Sequence, residues 1–113
     1  MSYKVEGTTI SLTRGDSLRL NLTIKRKKTQ EIYTPESGDS IRFALKKRFD
    51  DSLPVLISKP IPIADPLILA LDPEDTKSLR FGDYVYDIEL TKANGLVDTF
   101  IHDAIFKITP EAE

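Results

Sequence analysis

The sequence has no cysteine, no tryptophan and a single histidine in 113 residues. Without cysteine there is no disulfide framework, no thiolate metal site and no thiol nucleophile. Neither sign of charge dominates, since sixteen Lys and Arg against eighteen Asp and Glu give −2, spread along the chain. The basic footprint of a nucleic-acid binder is therefore missing. The longest apolar runs fall far short of a membrane span. The N-terminal MSYKVEG lacks the apolar stretch of a signal peptide. No Gly-x-Ser-x-Gly elbow occurs, and no segment has the spacing of an EF-hand calcium loop.

What the sequence does have is alternation. Its 40% hydrophobic and 30% charged fractions are those of a soluble globular protein. The length predicts one domain over 1–113, with frayed ends at 1–9 and 110–113. Ile10 and Leu12 alternate with polar neighbours up to an Arg14-Gly15-Asp16 turn. Leu18, Leu20, Leu22 and Ile24 then face one way and Arg19, Asn21, Thr23 and Lys25 the other, as in a half-buried strand. Residues 26–31 read as a hairpin loop, Ile32-Tyr33 as a short extended segment, and Ile41, Phe43 and Leu45 as the buried face of another strand. Four of the seven prolines fall within 54–66. Proline has no N–H to give to a sheet interior, so 55–59 is expected on an edge and Pro60-Ile61-Pro62-Ile63 as a crossover. Residues 67–71 form a short apolar strand.

The stretch 71–90, LDPEDTKSLRFGDYVYDIEL, predicts a helical turn near 73–79, capped by Asp72 and stopped by Gly82. A strand follows with Tyr84, Tyr86, Ile88 and Leu90 on one face. Asn94-Gly95 suits a hairpin with two residues at positive φ. Residues 97–108 are one bent strand or two, with His102-Asp103 at the bend. Seven to nine short strands make the chain all-β, a sandwich by their spacing, although a small closed barrel shows the same alternation. Asp75, Leu79, Gly82, Tyr84 and Tyr86 have the spacing of a tyrosine corner, in which a hydroxyl bonds back to upstream backbone. The expected fold is therefore an immunoglobulin-like antiparallel β-sandwich without a disulfide, Tyr86 standing where antibody domains carry cysteine.

Three segments, LTRGDSLRLNLTI, YTPESGDSIRFALKK and LDPEDTKSLRFGDYVYDIELTKANGLVDTFI, carry a resemblance across nearly the whole chain. They resemble the small immunoglobulin-like domains of tailed-phage and prophage structural proteins, and are similar to the N-terminal domain of the phage baseplate upper protein family. The resemblance implies a non-enzymatic virion protein of the tail or baseplate, working through contacts with other virion proteins, as a homo-oligomer or as part of a larger ring. It also implies a bacterial cytoplasmic location during assembly and then the virion, with no cofactor, no nucleic acid and no membrane. Members of that family continue into receptor-binding or fibre modules. A chain ending at Glu113 is expected to serve as an adaptor rather than in host recognition.

Candidate chemistry is sparse. His102 and Asp103 are adjacent, and on a strand their side chains point to opposite faces, so no dyad is expected. Asp50, Asp51, Asp72, Glu74, Asp75 and Asp83 invite a calcium reading. Asp72, Glu74 and Asp75 are better placed as acidic residues at a helix N-terminus, and no metal is expected. Lys25-Arg26-Lys27-Lys28 keeps a hairpin tip solvated. Tyr3, Tyr33, Phe49, Phe81 and Phe100 leave a second reading, a carbohydrate-binding module that anchors a particle or enzyme to a cell surface. Val55, Ile57, Ile61 and Ile63 are more apolar than an isolated edge should be. They either meet a partner or cover the open side of the sandwich within one chain.

Overall fold

A computed structural model describes residues 3–25, 32–48, 52–64 and 66–110, among which lie ten strands and one short helix. The side chains of Lys25, Phe100, His102 and Asp103 lie outside the description, as do residues 26–31 and 49–51 with most of the basic run, Phe49, Asp50 and Asp51.

The first element corrects an expectation. Residues 3–6 are not frayed but form β1 (Tyr3–Glu6), which turns through Gly7 and Thr8 and pairs antiparallel with β2 (Thr9–Thr13). Its alternation is short, but Tyr3 falls opposite Leu12 and Val5 opposite Ile10, and the Tyr3 hydroxyl donates to the Arg19 carbonyl at 3.0 Å. These contacts hold a segment too polar to be recognised by pattern.

The run from Leu18 divides into β3 (Leu18–Leu22) and β4 (Ile24–Lys25), which turn to different partners. β4 pairs with β5 (Ile32–Tyr33), and β3 with β8 (Leu67–Leu71). The remaining strands are β6 (Ser40–Lys46), β7 (Ile57–Ile61), β9 (Gly82–Thr91) and β10 (Val97–Thr109). They complete a six-stranded sheet in the order β1-β2-β10-β9-β6-β7. This sheet is mixed rather than antiparallel, because β2 and β10 run parallel. The two strands are far apart in sequence, so no hairpin constrains their relative direction. Ten strands exceed the expected seven to nine because β1 was hidden in the supposed lead-in and β4 separates from β3.

The buried face of β8 alternates as Leu67, Leu69 and Leu71, and that of β9 as Tyr84, Tyr86, Ile88 and Leu90. These join Leu18 of β3 and Phe43 and Leu45 of β6 in one apolar cluster, so the six-stranded sheet and the β3–β8 pair share a single core. At its centre the rings of Phe43, Tyr86 and Phe106 meet, Phe43 and Tyr86 tilted and Phe106 edge to face with both, with centroids 5.4, 6.0 and 6.1 Å apart. Phe106 is reached because β10 is one long strand. Its register against β9 shifts between Thr99 and Ile101 and again between Ile101 and Ala104, and the backbone of His102 and Asp103 occupies the second irregularity.

Two turn details also differ from expectation. α1 (Pro73–Lys77) closes on Ser78 as its C-cap, so it ends before residue 79, and Gly82 opens β9 instead of stopping the helix. The β9–β10 connection is a three-residue loop, in which Gly95 N–H donates to Lys92 O and Lys92 N–H to Leu96 O, both at 2.8 Å. Gly95, at φ 92°, supplies the left-handed residue that such a loop needs.

Candidate functional site

The stretch richest in tyrosine and carboxylate is a structural joint. The Tyr84 hydroxyl donates to the Arg80 carbonyl at 2.7 Å, closing the corner between α1 and β9. Tyr86, two residues on, donates to the Thr8 carbonyl and ties the β1–β2 turn to the core. Burial pushes its hydroxyl up to about 12. Leu79 is half-buried against the core, and Asp75 accepts the Asp72 N–H at 2.7 Å to cap the helix. Pattern reasoning missed Thr76 here. It is fully buried, and its Oγ1 accepts the Gly15 N–H at 2.9 Å across 61 residues. Arg14 lies over the Phe81 ring, 4.2 Å from its centroid, so the Arg14-Gly15-Asp16 turn is docked on the corner. Thr76 gave no sequence signal because its partner is a backbone group on a distant turn. Replacing Tyr84 by Phe removes one such bond and is expected to cost about 1 kcal/mol. A denaturant titration checks this; an unchanged midpoint would mean that the hydroxyl finds water as good a partner.

Asp72 and Asp75 are already engaged. Lys59 of β7 lies 3.1 Å from Asp75 and 3.7 Å from Asp72, and Arg19 of β3 lies 3.4 Å from Asp72. The Asp75 carboxylate holds the Lys59 ammonium above its usual range. These pairs join the helix to an edge strand of one sheet and to the other sheet. Asp83 is exposed on β9, opposite Lys107 in register. Among the described residues no group of three or more His, Asp or Glu is disposed to hold a metal ion.

The four candidate interface residues separate. Ile57 and Ile61 are 6% and 3% exposed and belong to the core, so of the two expectations these residues fulfil the second, cover within this chain, and leave the candidate interface. They face inward because β7 pairs with β6 in the register Leu45↔Ile57 and Ile41↔Ile61, on the face that buries Phe43. Val55 and Ile63, beyond the two ends of β7, are 49% and 39% exposed.

Ile63 has company at its end. Ser40, Thr91 and Val97 are neighbours across β6, β9 and β10, and Ile61 lies opposite Ile41, so Ile63 projects toward the same end as the 92–96 loop. Ile32, Leu96 and Val97 there are 67%, 64% and 59% exposed. Asp39 fixes the arrangement, accepting from the Tyr33 hydroxyl at 2.7 Å, the Glu36 N–H at 2.9 Å and the Ala93 N–H at 3.2 Å. The Glu36 N–H, with the Tyr33 hydroxyl, holds the Asp39 carboxyl below its usual range. Gly38 sits at φ 93°, and a Cβ there would meet the Ala93 Cβ at 2.8 Å, so the two loops touch backbone to side chain. Beside them lies a cleft of about 300 Å³ lined by Leu22, Ile24, Tyr33, Pro35, Pro66 and Leu67 among others.

Among the described residues the aromatic side chains do not gather on the surface. Tyr84, Tyr86, Phe43 and Phe106 are in the core, while Tyr3, Tyr33 and Phe81 stand on β1, on β5 and just before β9. No helix among the described residues is long and apolar enough to cross a membrane. No family model matches the chain, and no curated protein matches it either.

Proposed function

We propose that the chain is an immunoglobulin-like β-sandwich that serves as a non-enzymatic structural protein of a phage or prophage particle, in its tail or baseplate. The fold reading is supported by strand order. Sheet β10-β9-β6-β7 facing the β3-β8 pair corresponds to the G, F, C and C′ strands facing B and E of a variable-type sandwich. The Tyr84 bond to Arg80 and the Phe43–Tyr86 contact stand where such domains carry the tyrosine corner and the packing of strand C on strand F. The virion reading is supported by the sequence resemblance to phage structural domains.

The observation that carries the interaction reading is the loop end. Ile32 of β5, Ile63 beyond β7, Leu96 of the β9–β10 loop and Val97 at the start of β10 are large apolar residues exposed toward one end, where Asp39 ties Tyr33 to Ala93. Exposed apolar residues at a braced end suit burial against another protein, in this reading a neighbouring virion subunit. β7 suits strand addition poorly, so side-chain burial at the loop end is the mode of contact.

The test is fractionation of particles induced from cells carrying the gene, with mass spectrometry of the sedimented virions. The chain is expected at fixed stoichiometry in the virion fraction, and Leu96→Asp with Val97→Asp is expected to leave it soluble and folded but outside the particle. Finding the unaltered chain only among soluble proteins would overturn the virion reading. Incorporation of the doubly substituted chain would move the contact away from the loop end.

A further inference from the structure

The six-stranded sheet ends in β7 on one side and β1 on the other, and the two edges are built differently. β7 carries devices that keep an edge from pairing. Pro60 has no N–H to offer, and Lys59, opposite Phe43, brings a charge to the core face. β1 has neither. Tyr3 and Val5 lie on its core face, opposite Leu12 and Ile10, with Lys4 and Glu6 on the outer face, opposite Ser11 and Thr9. Val5 is 43% exposed although its neighbour Ile10 is 2% exposed, so the core face of the sheet is open at this edge.

We infer that β1 pairs antiparallel with β1 of a second copy about a twofold axis at Val5, joining two six-stranded sheets into one. The charges select the register. With Val5 opposite Val5, each Lys4 falls across from the second copy's Glu6, and each Glu6 across from its Lys4. A slip of two residues in either direction puts Lys4 on Lys4 or Glu6 on Glu6, which is repulsive. A slip of one puts charged side chains on the apolar face. One register therefore satisfies both faces, and a twofold contact requires this kind of self-complementarity. Lys4 Nζ now lies 2.6 Å from Glu6 Oε1 of its own chain, and with side chains 73% and 69% exposed both are free to reach across the axis. The free N–H and C=O groups of the edge would gain partners, and the two Val5 side chains would cover each other. The pairing rests on this edge alone and holds or falls independently of the virion reading.

Sedimentation equilibrium at low salt, where exposed charge pairs are least screened, tests it. The unaltered chain is expected to dimerise. Lys4→Glu and Glu6→Lys alone are each expected to weaken the dimer about tenfold or more, since two attractions become two repulsions. Mixing these two variants is expected to restore dimers, and Lys4→Glu/Glu6→Lys in one chain to dimerise like the original. Val5→Cys is expected to form a symmetric interchain disulfide on oxidation, because strand partners stand about 4.5–5.5 Å apart, within disulfide reach, and the chain has no other thiol. A chain that stays monomeric at every concentration, or single charge variants that associate as tightly as the original, would overturn the pairing.

Discussion

Ile61→Asp is expected to leave no folded protein, while Ile63→Asp, two residues further on, is expected to lower the melting temperature by no more than about 4 °C. Both side chains belong to the same proline-rich run and look alike in the sequence. Ile61 is 3% exposed and opposite Ile41, itself 2% exposed. Removing a buried isoleucine side chain costs roughly 2–5 kcal/mol, and a carboxylate left without a partner in that site adds several more. Together these approach the roughly 5–15 kcal/mol by which a domain of this size is stable. Ile63 is 39% exposed and its carboxylate would stay in water. Soluble yield and circular dichroism on heating check both. Equal behaviour of the two variants would sink the register of β7 on β6. Ile57→Asp is expected to follow Ile61→Asp for the same reason, so neither substitution reports on a partner.

Much of this arrangement was legible from side-chain alternation, and the parts that were not share a cause. Leu67, Leu69 and Leu71, and Tyr84 through Leu90, announce their strands because each has one buried face, which a period of two records directly. The edge position of β7 followed from the prolines around it, a statement about missing donors, but the strand runs on through Pro60 and Ile61, which were expected in a crossover. Whether Ile57 and Ile61 meet this chain or another could not be read, because burial looks the same to a side chain whichever molecule provides it. β1 went unrecognised for a related reason. Lys4 and Glu6 face solvent and Val5 is half open, so an edge strand of four residues leaves almost no pattern. The parallel partnership of β2 with β10 joins residues 96 positions apart, as Ile10 and Phe106, and the bond from Gly15 to Thr76 spans 61. Local periodicity carries nothing about such pairings. The candidate contact end, with Ile32, Leu96 and Val97, was equally hidden, since a lone exposed apolar residue at a strand end or on a loop becomes informative only when others share its end of the fold.

Phe43→Ala is expected to be among the most damaging truncations in the core, lowering stability by about 3–5 kcal/mol. In a chain of this length that corresponds to a fall of roughly 15–30 °C in melting temperature. Phe43 is fully buried and meets both other rings of the central trio, Tyr86 at 5.4 Å and Phe106 at 6.0 Å. Its loss therefore removes transfer energy, opens a cavity and deletes two ring contacts at once, contacts worth on the order of 0.5–1.5 kcal/mol each where they have been isolated. The surroundings cannot close the gap easily, because Tyr86 is held by its hydroxyl on the Thr8 carbonyl and Phe106 by its place in β10 between β2 and β9. Phe81→Ala is the matched control. That ring is 46% exposed and meets Arg14 at 4.2 Å, a contact expected to contribute about 0.5–1 kcal/mol at such a site. Chemical denaturation of the two variants separates them. If Phe43→Ala proves no worse than Phe81→Ala, Phe43 is not at the centre of the core, and the β6–β9 register that sets it beside Tyr86 must be wrong.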